Sequence, residues 1–230
     1  QVAFDSDLAF NTFAVALQEL PTLERLTWHS ALSLPRWNAL TNGWNTGLLV
    51  EFDVEWSLLS TTTVGNEETT RSMMKQVFAD FFRLTDQKLV LRIKQQCDRE
   101  DVQTIFAGLQ AGRQAKVHHG AFANVALSVY AQFSGETFPI WVEEICKQPK
   151  LISSFYVWSM EFTPQSIACL EKLLTNNALT LENLFLLDPS VTAHLSKATL
   201  EQLTNALAKN EFLERLSLRS IADASHAVWH

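Results

Sequence analysis

The stretch LTNALAKNEFLERLSL, from Leu203 to Leu218, carries two hydrophobic periods back to back, and this constrains the fold more than any other part of the chain. Leu200, Leu203, Ala206 and Leu207 recur at helical spacing, and Leu213, Leu216 and Leu218 follow with the spacing of a short strand. Asn210 stands between the two, where a residue tolerant of the left-handed conformation stops a helix and satisfies its last carbonyls. A similar unit, LQELPTLERL, occupies Leu17 to Leu26, with Leu17, Leu23 and Leu26 at the same offsets as Leu207, Leu213 and Leu216. A helix that passes directly into a strand, recurring at both ends of a chain, marks a solenoid whose units bury their apolar sides against their neighbours.

The same alternation can be followed through the chain. Asp5 or Ser6 caps a first helix whose apolar side uses Leu8, Phe10, Phe13, Ala14 and Leu17 and which shields the open end of the repeats. Helices are then expected from Pro35 to near Gly47, over Glu67–Leu84, and from a cap at Asp98 to near Gly112. Three more follow: Phe138–Lys147, a helix begun by Thr163 and Pro164 and stopped at Asn176 or Asn177, and about Leu195–Lys209. Thr61–Asn66 reads as a polar loop. Strands are expected with first core positions at Leu23, Leu49, Lys88, Asn124, Ile152, Leu181 and Leu213. The fourth is open to two readings: Leu127, Val129, Ala131 and Phe133 alternate as a strand, while Phe122, Val125, Ala126, Val129, Tyr130 and Phe133 fit a helix. The strand is taken, because it gives the helix after Gly135 the relation to its strand found elsewhere.

With 230 residues, 47% of them hydrophobic, the chain can bury a substantial core, and one repeating domain over residues 1–230, with 1–20 as a capping helix, fits the pattern. A net charge of −7 scattered in sign along the chain argues against a nucleic-acid surface. Cys97, Cys146 and Cys169 are odd in number, far apart and form no CxxC, so free buried thiols in a reducing, cytoplasmic compartment are expected. No apolar run reaches the roughly 20 residues of a membrane span, so a soluble chain is expected. There is no initiator Met and Gln1 opens no signal peptide, so the natural chain is expected to be longer and to extend past the last strand.

LERLTW at Leu23–Trp28, LENLFL at Leu181–Leu186 and LERLSL at Leu213–Leu218 each fit the leucine-rich repeat core LxxLxL, and LAKNEFLERLSL resembles the ribonuclease-inhibitor type of that family. The resemblance implies an α/β horseshoe with an inner parallel sheet of about seven strands and outer helices. Lys88 and Asn124 depart from it, standing where the family has an aliphatic residue. So do Ala31, Ser57, Gln96, Gln132, Met160, Pro189 and Ile221, which replace the Asn or Cys that usually follows each strand. Irregular, helix-rich repeats of this sort are similar to those of effectors of intracellular bacteria, which implies secretion into a host cell and a host protein as partner.

On such a sheet, alternate side chains point into the groove while the leucines point into the core. Parity assigns to the groove Arg25, Thr27 and His29; Glu51, Asp53 and Glu55; Val90, Arg92 and Lys94; Ala126, Ser128 and Tyr130; Ser154, Tyr156 and Trp158; Asn183, Phe185 and Leu187; and Arg215, Ser217 and Arg219. Tyr130, Tyr156, Trp158 and Phe185 then fall together as the make-up of a binding hot spot, unless an inserted segment folds over them as core. Glu51, Asp53 and Glu55, roughly 7 Å apart, form an acidic strip between Arg25 and His29 on one side and Arg92 and Lys94 on the other. A cross-strand ion network, recognition of a basic partner segment, and a cation site are the three readings of that strip, the last short of ligands.

Little in the sequence points to catalysis. His118 and His119 are adjacent and have no third ligand or HExxH context, so no metal is expected. Cys97 precedes a helix start at Asp98, where a thiol can be activated, but no positioned histidine accompanies it. No P-loop, GxGxxG or GxSxG occurs, and no cofactor is expected. The expected function is a non-catalytic scaffold that binds a partner protein with Tyr130, Tyr156, Trp158 and Phe185 as anchors and Glu51, Asp53, Glu55, Arg92, Arg215 and Arg219 as polar contacts. The alternatives are the recognition part of a larger enzyme, or a cysteine-dependent enzyme.

Overall fold

The computed structural model describes residues 6–20, 22–28, 34–42, 49–56, 67–93, 97–117, 124–129, 137–157, 163–188 and 196–220. Helices and strands alternate throughout: α1 (Asp7–Gln18), β1 (Arg25–Trp28), α2 (Leu34–Asn42), β2 (Leu49–Trp56), α3 (Glu67–Leu84), β3 (Thr85–Ile93), α4 (Arg99–Val117), β4 (Asn124–Val129), α5 (Thr137–Lys147), β5 (Ile152–Val157), α6 (Pro164–Thr175), β6 (Asn183–Asp188), α7 (Lys197–Leu207) and β7 (Arg215–Ser220). The seven strands form one parallel sheet in sequential order. Parallel neighbours cannot be joined by a tight hairpin, and a helix makes each return. Residues 124–129 are strand, as the alternating pattern of that segment suggests. The chain divides into two compact units, Gln1–Leu91 with Thr104–Asn124, and Arg92–Gln103 with Val125–His230.

In the first unit, Ser6 caps α1 by accepting a hydrogen bond from the Ala9 amide at 3.2 Å. Phe10, Ala14 and Leu17 recur every three to four residues and are buried, with Phe10 edge-on to Trp28 at 5.7 Å. Leu8, expected on the same side, is 77% exposed, because two residues before Phe10 is about 200° around a helix. The centre of the unit is α3, whose Phe78, Phe81 and Phe82 are almost completely buried, with Trp37 of α2 edge-on to Phe81 at 5.0 Å. β3 follows α3 without a loop. At that junction the fully buried Thr85 hydroxyl lies 3.1–3.2 Å from the carbonyl oxygens of Leu49, Val50 and Lys88, fixing the strand entrance beside β2.

Gly112, expected to end its helix, lies inside α4, which runs on to Val117. Its role is close packing. A Cβ on Gly108 would come within 2.6 Å of the Lys75 carbonyl oxygen and 2.7 Å of Phe78 Cβ, and one on Gly112 would meet the Ala79 carbonyl oxygen. Two glycines one turn apart thus let α4 lie directly on the backbone of α3.

In the second unit the repeat is clearest. Thr163 caps α6 with a reciprocal box: its hydroxyl accepts from the Ser166 amide, while Ser166 Oγ accepts from the Thr163 amide at 2.8 Å, and Pro164 occupies the first helical position. Below the helices lies a core of Phe138, Trp141, Phe155, Val157, Leu170, Leu173, Leu184 and Leu186, none more than 1% exposed. The turns between helix and strand are joined by asparagines. Asn210 is not the helix stop: α7 ends at Ala208 in ordinary right-handed conformation. Instead Asn210 Oδ1 accepts from the amides of Phe212 and Leu213 at 3.1 and 2.6 Å, and its Nδ2 donates to the Leu174 carbonyl at 2.8 Å. That carbonyl belongs to the last turn of α6 and has no intrahelical partner. Asn177 reaches the other way, donating to the Lys209 carbonyl at 3.0 Å and accepting from the Glu211 amide at 3.3 Å. Side-chain amides ahead of the strands thereby stitch one turn to the next.

All three cysteines are free; Cys97 is buried, while Cys146 and Cys169 are half-buried rather than enclosed as expected, and burial pushes the Cys169 thiol up. On the surface of this unit Glu143 pairs with Arg99 at 2.7 Å and Lys147 at 2.9 Å, and these two cations hold its carboxyl down to about 2.

Replacing Gly by Ala inside a helix normally stabilises by about 1 kcal/mol. For Gly112→Ala we expect the reverse sign, a loss of about 1–3 kcal/mol from overpacking against α3, read as a lower urea midpoint. Asn210→Ala leaves the Leu213 amide and the Leu174 carbonyl unpaired and is expected to cost about 1–3 kcal/mol, with faster hydrogen exchange at Leu213. A carboxyl depressed on folding contributes above its unfolded value of about 4.3 and loses that contribution as pH falls through the folded value. The Tm advantage of the wild type over Glu143→Gln should therefore be constant above about pH 5 and close between about pH 4.5 and 2, and salt should diminish it because the pair is exposed.

Candidate partner-binding face

Along β5 and β6 the two side-chain parities separate cleanly. Phe155, Val157, Leu184 and Leu186 are buried, whereas Tyr156 and Phe185, one residue out of phase, are half-buried on the opposite face. Parallel register sets Tyr156 beside Phe185, and Phe185 beside Ser217 of β7. The Tyr156 and Phe185 rings stack at 4.6 Å between centroids and 12° between planes, close to the spacing of neighbouring strands. Two rings held at strand pitch by a hydrogen-bonded sheet lose little freedom on binding, and they present one continuous apolar surface.

One row nearer the strand entrances, Ser154, Asn183 and Arg215 lie side by side. Asn183 Nδ2 donates to Ser154 Oγ at 3.0 Å, which covers the serine and leaves it 7% exposed. Arg215 is exposed and forms no ion pair among the described residues. The face therefore reads aromatic in one row and polar to cationic in the next, roughly 7 Å apart.

The first unit carries the acidic strip. Glu51 lies in register with Arg25 and Asp53 with Thr27. Glu51 Oε1 is 3.1 Å from Lys88 Nζ, a residue counted as the first core position of its strand from the repeat spacing, while Arg25 is exposed. Asp53 is 9% exposed and already engaged. Four positions assigned to the wet groove are thus buried: Asp53, Val90, Ala126 and Ser154. Side chains at strand pitch cover their short neighbours, so parity names the side of the sheet without guaranteeing access to water.

Arg92 is half-buried on β3, and Glu55 and Arg219 hold their expected backbone positions on β2 and β7. Tyr130 and Trp158 lie outside the described residues, as do His29, Lys94, His118 and His119. Of the proposed aromatic group, the structure brings Tyr156 and Phe185 together. Two contributors escaped the sequence reading: Lys88 as the partner of Glu51, and the Asn183–Ser154 bond. The LENL and LERL matches at Leu181 and Leu213 place Asn183 beside Arg215 and so held the signal for this row.

The Cys97 thiol is 5% exposed. Among the described residues no group of three or more His, Cys, Asp and Glu is placed to hold a metal ion, and no helix is long and apolar enough to cross a membrane. Comparison with protein-family models, with curated proteins and with solved structures finds no match to this chain.

Proposed function

We propose that this chain is a non-catalytic binding module of the leucine-rich-repeat, ribonuclease-inhibitor-like kind, which captures a partner protein on the exposed face of its parallel sheet. The observation that carries the reading is the half-buried Tyr156–Phe185 stack, which stands opposite the fully buried Phe155, Val157, Leu184 and Leu186 of the same two strands. Apolar rings left in water on a rigid support are costly unless something covers them, and Tyr is among the residues that dominate binding hot spots. The acidic strip contributes less to this reading than the aromatic pair, since Lys88 counters Glu51 and Asp53 is buried. The repeat pattern similar to that of bacterial effectors makes a host protein the partner in view.

A module of this kind separates binding from folding at the two rings. Tyr156→Ala with Phe185→Ala should abolish partner capture in a pull-down while Tm falls by no more than a few degrees, because neither ring belongs to the buried core. Unchanged capture by the double variant, or its collapse in stability, would remove the aromatic pair as the binding determinant.

A further inference from the structure

The row containing the stack runs Ser128, Tyr156, Phe185, Ser217 across β4 to β7. Tyr156 and Phe185 spend one ring face on each other; the outer face of Phe185 looks toward Ser217, a residue too short to fill the next position at strand pitch. Over the half-buried Ser217 lies the next position of the row at strand pitch. On the same strand and parity, Ser217 is preceded by Arg215 and followed by Arg219. The described side chains at face positions of β5 to β7 are Ser154, Tyr156, Asn183, Phe185, Arg215 and Ser217, of which Arg215 alone is charged, exposed and without an ion pair. Glu182 and Glu214, exposed at the strand entrances, bound the cationic stretch on one side and leave Arg215 unpaired.

Resting on the reading of this face as a partner-binding surface, we propose that its occupant is an extended, acidic segment of the partner in which an aromatic residue has a carboxylate two positions away. Side chains two apart on an extended chain project to the same side at roughly 7 Å, the spacing between Ser217 and Arg215. The aromatic ring continues the stack over Ser217, where a third ring at strand pitch adds edge or offset contact with Phe185. The carboxylate pairs with Arg215. The segment is acidic because the described face positions offer it the Arg215 cation and no free carboxylate, and like charges facing each other oppose binding.

Selection of random linear peptides displayed on phage against the full chain tests this directly. Recovered peptides should share a Trp, Tyr or Phe with Asp or Glu two residues away. As free labelled peptides they should bind in fluorescence polarisation with an affinity that falls as salt rises. Arg215→Glu should weaken them about tenfold, and Ser217→Trp, which occupies that next position of the row while keeping the stack, should weaken them at least as much. Peptides that need Tyr156 and Phe185 but carry basic or uncharged neighbours and ignore Arg215→Glu would overturn the acidic-segment proposal and leave the binding face standing. Recovery of no peptide that depends on the two rings would overturn both. Circular dichroism of each variant separates lost binding from lost fold.

Discussion

Everything in this molecule follows from a single packing requirement: a parallel strand exposes two faces, and one of them must be covered by the helix that returns the chain to the next strand. The leucines and phenylalanines of β5 and β6 meet that requirement on one side, with Phe155 and Leu184 completely buried. Because side chains alternate, burying that set commits the intervening residues to the opposite face. The set of side chains on that opposite face is therefore a by-product of the core. On β5 and β6 it includes a tyrosine and a phenylalanine stacked at strand pitch.

The way the helices reach the sheet differs between the two units. In the first, bulk dominates: α3 is lined with phenylalanines, and α4 approaches it through Gly108 and Gly112, so that aromatic rings fill one side while bare backbone meets backbone on another. In the second, hydrogen bonding at the turns takes a larger part. Asn177 and Asn210 satisfy carbonyls at helix ends that packing alone would leave unpaired.

The alternation of elements was legible because it rests on periodicity, which is a local property: α3 is bounded at Glu67 and Leu84 as its pattern implies, and the Thr163–Pro164 start of α6 is written in the two residues themselves. Parity likewise placed Tyr156 and Phe185 on the same side of the sheet. What could not be read was set by neighbours distant in sequence. Gly112 resembles a helix stop until the backbone of α3 is seen against it, and Asn210 resembles a cap until its amide is found on Leu174. The accessibility of Ser154 depends on a side chain one strand away, and the counter-ion of Glu51 comes from Lys88, a position assigned to the interior. Pattern gives the address of a residue on an element; its surroundings are decided by which elements come to lie beside it.

The asparagine bonds have a bearing on how the second unit comes apart. Both clasps span the one junction between the α6–β6 and α7–β7 turns, a single link in a ladder of neighbour-to-neighbour contacts. Such a ladder frays rung by rung from a free margin. Among the described strands, the one that carries Arg215 and Ser217 is the last rung, so a ligand seated there would also act as a clamp holding that rung to its neighbour.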